Sequence, residues 1–164
     1  MAEYAVVPVE NLYKIPEGIS FEDACAPLLV GTSCWRMLFK RAALKPGESI
    51  LIVGAGGGVN SLAIQLAHAA GATVIALSST KEKLKKATAL GAHNVINYSE
   101  QKNWPVEVLK FTKGRGVDVV IDNVGQATFA KSLKAVARGG RIVSVGNTSG
   151  YEIVFDNRLL FTKQ

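Results

Sequence analysis

Cysteine is scarce, with Cys25 and Cys34 the two in 164 residues. One pair builds no disulfide framework, and this spacing is not that of a zinc site. Histidine is as scarce: His68 and His93 each stand alone, and a lone histidine is more often structural than a ligand. No metal site is therefore expected. Long apolar runs are missing too. The longest, residues 24–30, is broken by Pro27 and is too short to cross a bilayer. No basic stretch followed by an apolar one opens the chain, so a signal peptide is not expected. These absences point to a protein of the reducing cytoplasm, without a membrane role. Repeats and low-complexity tracts are also lacking.

What is present suits a folded core. Hydrophobic residues reach 48% and charged ones 20%, which excludes a disordered chain. The length fits one domain. A formal charge of +6 attracts phosphates, including those of nucleic acid. The cations are dispersed, however, except for Lys81, Lys83, Lys85 and Lys86 on one segment. Lys81, Lys85 and Lys86 read as a solvated helix face, and nucleic acid is disfavoured as a partner.

From residue 49 onward, short β-rich runs alternate with helical stretches. Residues 49–53 are apolar without alternation, as expected of a strand covered on both faces. A helical pattern over 59–70 follows, closed by Gly71. Residues 73–77 form a second strand candidate. Thr80 can cap a helix running to residue 90, which Gly91 ends. Residues 93–97 make a third strand. Asn103 then looks like an N-cap with Pro105 in the first turn, on a helix ending near Gly114. Residues 117–121 make a fourth strand, followed by a helix over 128–137. Gly139 and Gly140 turn the chain into a fifth strand at 141–145. Such alternation implies an α/β fold: a doubly wound parallel sheet with helices on both faces. The start differs. Residues 2–9 read as an isolated strand, and residues 21–41 as a helical stretch interrupted near Gly31.

The chemistry lies in Gly54-Ala55-Gly56-Gly57-Gly58-Val59-Asn60, placed between a strand and a helix. There, glycines let the backbone approach a pyrophosphate, and the helix start offers free N–H groups and a positive dipole end. The same letters also suit a tight loop with no ligand, but strand before and helix after favour the Rossmann reading. The best frame puts Asn60 where a third glycine normally lets helix and strand pack closely. Asn60 thus either hinders that approach, in which case glycine there tightens cofactor binding, or adds a hydrogen bond.

A second diagnostic falls at the end of the second strand, about twenty residues on. NAD-preferring domains place Asp or Glu there. This chain reads Ser78-Ser79-Thr80-Lys81-Glu82-Lys83, with no acid before Glu82. A carboxylate repels a 2′-phosphate, whereas hydroxyls, backbone donors and a lysine bind it. NADP(H) is therefore preferred over NAD(H). For Ser78, Ser79 and Thr80 the competing reading is a plain loop with a helix cap.

Taken together the chain resembles the medium-chain dehydrogenase/reductase superfamily, nearest its zinc-independent quinone-oxidoreductase branch. Carrying segments are Ala2-Glu-Tyr-Ala-Val-Val-Pro8, Leu12-Tyr-Lys-Ile-Pro16, Leu44-Lys-Pro-Gly-Glu48 and the glycine cluster. Val95-Ile-Asn-Tyr98, Gly116-Val-Asp-Val-Val-Ile-Asp122 and Ser144-Val-Gly-Asn-Thr-Ser-Gly150 complete them in order. Gly57 is the second position of the glycine-loop frame and a cofactor-loop candidate, and the resemblance implies that Gly58 and Val59 face the pyrophosphate. It implies that Ser79 to Lys83 surround the 2′-phosphate, with Tyr98 nearby. Val124 would lie by the nicotinamide ribose. Gly146, Asn147, Thr148 and Ser149 would lie at the nicotinamide end, together with Ser33. Bland roles compete: Tyr98 covering a strand end, Gly125 and Gly146 serving turns, Asp122 and Asn123 binding loop backbone. Zinc-dependent relatives carry a cysteine ligand near residues 26–30, where this chain has Leu29 and Val30, so the resemblance implies no catalytic zinc.

The same resemblance implies hydride transfer from NADPH to a quinone or an α,β-unsaturated carbonyl. It implies that residues 1–20 are a lead-in from a catalytic domain, that 21–164 form the NADP(H)-binding domain, and that a sixth strand lies beyond. Uncovered apolar surface then favours a homo-oligomer. No nucleophile–base pair is readable, so no catalytic residue is assigned. Two other classes compete. A non-catalytic nucleotide or nucleic-acid binder accounts for the charge. A methyltransferase shares the glycine loop, but those enzymes usually want an acid where Ser78 stands.

Overall fold

The computed structural model describes residues 2–163. The five runs read as strands from residue 49 onward are strands: β1 (Ser49–Val53), β2 (Thr73–Ser78), β3 (Asn94–Asn97), β4 (Val117–Asp122) and β5 (Val136–Val143). They lie parallel in the order β3-β2-β1-β4-β5. Helices α1 (Phe21–Cys25), α2 (Leu28–Trp35), α3 (Gly58–Ala69), α4 (Lys81–Ala89), α5 (Trp104–Phe111), α6 (Phe129–Ala135) and α7 (Arg158–Lys163) surround them. A π-helical turn, Arg36–Arg41, extends α2. The architecture is α/β and Rossmann-like.

The unbroken apolar character of β1 has its reason in the two layers it feeds. Ile50 and Ile52 pack with Ala63, Ile64 and Ala67 of α3 on one side, joined by Met37 and Leu38. Leu51 and Val53 pack with Trp104 and Val108 of α5 on the other. Every residue of β1 is buried. Each of these large side chains contributes about 1.5–3 kcal/mol by leaving water. That two-sided burial fixes β1 at the centre, and the chain reverses winding direction between β1 and β4. A crevice opens at such a point, beyond the carboxyl ends of the strands.

The opposite ends of the strands are tied by charge. Asp118 Oδ2 accepts from the Ser49 N–H and hydroxyl, both at 2.8 Å, and from Arg115 at 2.8 Å. Arg141 holds Glu48 with two bonds of 2.8 and 2.7 Å and donates to the Ala42 carbonyl at 2.8 Å. Hydrogen bonding from these arginines keeps both carboxyls below their ordinary range, Asp118 well below it. Bidentate guanidinium–carboxylate geometry of this kind fixes orientation as well as charge.

Four sequence expectations need correction. Residues 2–9 form no strand. A strand exists by its ladder, and this segment is exposed, with Pro8 leading into a 3-10 turn, Val9–Asn11. The helical stretch breaks before Pro27, not at Gly31, whose N–H donates to the Pro27 carbonyl. Gly31 is small for another reason: a β-carbon there would meet Pro27 Cβ at 3.4 Å and Leu62 at 3.8 Å, so it lies where α2 meets α3. The fifth strand begins at Val136, five residues before the expected start, and Gly139 and Gly140 lie inside it. Val117 pairs with Val136 and Val119 with Arg141, so the intervening residues bulge out of the ladder. Finally, Asn103 occupies the N-cap of α5 but its side chain makes no capping bond, and the helix ends at Phe111.

Candidate functional site

The glycine loop turns directly over the end of β2. Gly54 and Ala55 both donate their N–H to the Leu77 carbonyl, at 3.0 and 2.7 Å. Gly54 has φ of 86°, and a β-carbon there would stand 3.1 Å from Val124. Glycine is the residue for which that conformation carries no steric penalty. Gly57 is the N-cap of α3 and no side chain caps the helix. The first N–H groups of α3 therefore lack intrahelical partners and mark a positive dipole end. Around a β-carbon on Gly57 nothing lies within 4 Å. The loop is open on that side.

A cleft of about 510 Å³ runs along this loop. It brings together Gly57, Gly58, Val59, Ser78, Ser79, Lys83, Tyr98, Val124, Gly146 and Thr148, all singled out from the sequence. Gly54, Gly56, Asn60, Asn123 and Val145 line it too. None of these lining residues is acidic, and Lys83 is the cation among them. Tyr98 serves twice: its N–H donates to the Ser78 carbonyl at 3.0 Å, and its ring packs on the core below.

The remaining predicted residues stand close by without lining the cleft. Thr80 caps α4, its hydroxyl accepting from the Lys83 N–H at 3.3 Å, as its capping role required. The Ser149 hydroxyl donates to the Val124 carbonyl at 2.7 Å and accepts from the Ala127 N–H at 2.9 Å. The Asn147 carbonyl accepts from the Gly150 N–H at 3.1 Å. Both thus shape the loop that presents Val124. Ser33 lines a neighbouring cleft of about 710 Å³, which shares Val59 and Val145 with the first.

The loop after β4 is built on a buried carboxylate. Asp122 accepts from the N–H groups of Val124 and Gly125, at 3.0 and 3.1 Å. It also accepts from the hydroxyls of Thr128, at 2.8 and 2.9 Å, and Ser132, at 2.7 Å. Its side chain is fully buried. Hydrogen bonds replace water around the charge, which is what allows a carboxylate there.

Asn60 resolves the question its position raised. It is 4% exposed, and its Nδ2 donates to the carbonyls of Val53 and Gly54, at 2.8 and 2.9 Å. Its Oδ1 accepts from Asn123 Nδ2 at 2.7 Å. The amide is hydrogen-bonded at both ends, as the second of the two readings of this position expects. Sequence reasoning missed this partner because no spacing rule links residues 63 apart.

Among the described residues no helix is long and apolar enough to cross a membrane, and no group of three or more His, Cys, Asp or Glu is placed to hold a metal. Cys25 is exposed. Cys34 is buried, donates to the Val59 carbonyl at 3.0 Å, and has its thiol pKa pushed up by burial.

Fold and cleft together define an α/β domain of the dinucleotide-binding class. Residues 58–164 match the zinc-binding dehydrogenase family. The chain belongs to that family, within the medium-chain dehydrogenase/reductase superfamily, and is its NAD(P)-binding half. It is 40% identical over 149 residues to a quinone oxidoreductase of Pseudomonas aeruginosa, covering 91% of this chain and 46% of that protein. It is 34% identical over 179 residues to a crotonyl-CoA reductase of Streptomyces avermitilis, covering 98% and 40%. The solved Escherichia coli quinone oxidoreductase complexed with NADPH superposes with a TM-score of 0.80 at 38% identity, over 91% of this chain and 45% of that one. The chain spans less than half the length of these relatives. The family's description carries zinc, yet the donor set just described offers zinc no site among the described residues.

Proposed function

We propose that this chain is the NADP(H)-binding domain of a reductase that passes hydride to a quinone or to the β-carbon of an α,β-unsaturated carbonyl. One observation carries the cofactor choice. The cleft beside the end of β2 has Ser78, Ser79 and Lys83 on its wall and no carboxylate. An acid there accepts hydrogen bonds from a free ribose 2′-hydroxyl and repels a 2′-phosphate. Hydroxyls and an ammonium group do the reverse.

The residues present suit the whole dinucleotide. The uncapped start of α3 meets the pyrophosphate with unpaired N–H groups. Lys83 and the serines take the 2′-phosphate, with Tyr98 beside them. Val124 and the segment containing Gly146, Asn147, Thr148 and Ser149 flank the nicotinamide end, which Ser33 would approach from the neighbouring cleft. The bound dinucleotide supplies the hydride; the domain orients the ring and keeps one face shielded. Relatives named for quinone and for crotonyl-CoA support an electron-poor carbonyl compound as acceptor.

Apolar side chains at Tyr4, Val6, Tyr13, Phe21 and Leu29 are exposed. Their exposure supports reading residues 1–20 as a lead-in from a domain that holds the substrate, with 21–164 as the cofactor domain and self-association as a consequence of the open surface. Two unpaired cysteines agree with a cytoplasmic setting.

Thermal unfolding with each nucleotide tests this reading. NADPH raises the Tm of the chain more than NADH does at equal concentration, and 2′,5′-ADP abolishes the difference by competition. Equal protection by both nucleotides, or by neither, overturns it.

A further inference from the structure

Asn60 stands where the glycine-loop pattern has its third glycine, and a glycine there has no side chain to reach anything. In this chain the position carries a buried amide whose bonds run to three residues on two separate segments. Nδ2 holds the Val53 and Gly54 carbonyls, the end of β1 and the start of the glycine loop. Oδ1 accepts from the side-chain Nδ2 of Asn123, in the loop after β4. Asn123 in turn accepts the Val145 N–H at its Oδ1, at 3.2 Å, next to Gly146. The amide orientation of Asn60 is fixed, because two carbonyls face one end and an N–H faces the other.

The two loops so joined are those on which opposite ends of a dinucleotide rest under the proposed function. We infer that Asn60 and Asn123 form a positioning pair, which sets the nicotinamide-side loop at a fixed distance from the pyrophosphate-side loop before the cofactor arrives. Neither residue needs to touch reacting atoms. Binding costs less when loops are ordered in advance, and this hydrogen-bonded pair, with Asn60 buried and Asn123 half-buried at the cleft wall, orders them. The glycine of the general pattern provides no such tie. In this chain the pair ties the nicotinamide-side loop to the start of the glycine loop.

This inference rests on the cofactor reading, and the test separates the two. NADPH and 2′,5′-ADP are titrated into the wild-type chain, Asn60→Gly, Asn123→Ala and the double variant, with fluorescence anisotropy of the bound reduced nicotinamide read alongside. 2′,5′-ADP occupies only the adenosine end, so a purely structural role for Asn60 moves both ligands together. The pair predicts that each single variant loses about tenfold in NADPH affinity while 2′,5′-ADP stays within about twofold, a separation that coupled neighbours of this kind produce. It also predicts that the double variant loses no more than either single one and that nicotinamide anisotropy falls. Equal losses for both ligands, no loss, or additive losses in the double variant overturn the pair. Should Asn60→Gly fail to fold, Asn123→Ala still decides by the same two ligands. A wild-type chain that binds neither ligand overturns the cofactor reading, and the pair with it.

Discussion

Lys83 lies lengthwise across Gly56: a β-carbon built on Gly56 would stand 2.7 Å from Lys83 Cδ, 3.0 Å from Cε and 3.4 Å from Nζ. The first turn of α4 thus sends its lysine back over the glycine loop, between the places proposed for the pyrophosphate and the 2′-phosphate. Among the described residues its ammonium has no ion-pair partner, whereas Lys81 and Lys86 on the same helix pair with Glu100 and Glu82. A cation left unpaired in a cleft without acids is available to a ligand.

Replacing Lys83 by alanine removes that charge. A hydrogen bond to a charged group is worth about 1.5–3 kcal/mol, so NADPH affinity falls by about 10- to 100-fold. NADH, lacking the 2′-phosphate, changes little. Fluorescence titration of both nucleotides checks this, and equal losses for the two remove Lys83 from the 2′-phosphate.

Gly125 closes the loop after β4 with φ of 86°, and a β-carbon there would stand 2.7 Å from the Gly150 carbonyl oxygen and 2.8 Å from Asn147 Oδ1. Left-handed backbone costs a side-chain-bearing residue about 1–2 kcal/mol before any clash is counted. Gly125→Ala therefore lowers Tm by at least about 2 °C for a domain of this size. Calorimetry reads it directly.

Asp122→Asn exchanges an acceptor of several N–H and O–H bonds for an amide that presents its own N–H₂ to them. The change destabilises the chain by about 2–3 kcal/mol, the scale for disrupting buried bonds to a charged group. Denaturant midpoints measure this loss. NADPH affinity drops as well, because the displaced loop carries Val124; a variant with wild-type stability contradicts the role given to Asp122.

Acid should loosen the end of the sheet away from the cleft. Arg115 holds the Asp118 carboxyl well below its ordinary 3.8, and Arg141 holds Glu48 below its ordinary 4.5. Both folded pKa values are depressed. Their stabilisation is thus complete above those ordinary values and is lost as pH falls through the folded ones. Urea midpoints decline from about pH 4 downward, and Asp118→Asn makes that decline shallower. An unchanged slope in the variant contradicts the assignment.

The sheet was legible in the sequence because both its signals are local. Uninterrupted apolar runs at residues 49–53 and 73–77 and helix stops at Gly71 and Gly91 depend on near neighbours alone. The early start of β5 was hidden by Gly139 and Gly140, whose usual meaning is a turn and which here occupy a bulge. Most of the cleft was legible as well, since a glycine loop and the end of the next strand keep a fixed order along the chain. The bond between Asn60 and Asn123 was not. It depends on how β4 seats beside β1, a matter of tertiary packing that leaves no periodic trace.

Recognition of a 2′-phosphate beside the glycine loop is read by isothermal titration of the purified chain with NADPH and NADH under one set of conditions. NADPH binds saturably at one site per chain, at least about tenfold tighter than NADH, which corresponds to about 1.4 kcal/mol. Equal affinities for the two nucleotides, or heats indistinguishable from dilution for both, would contradict it.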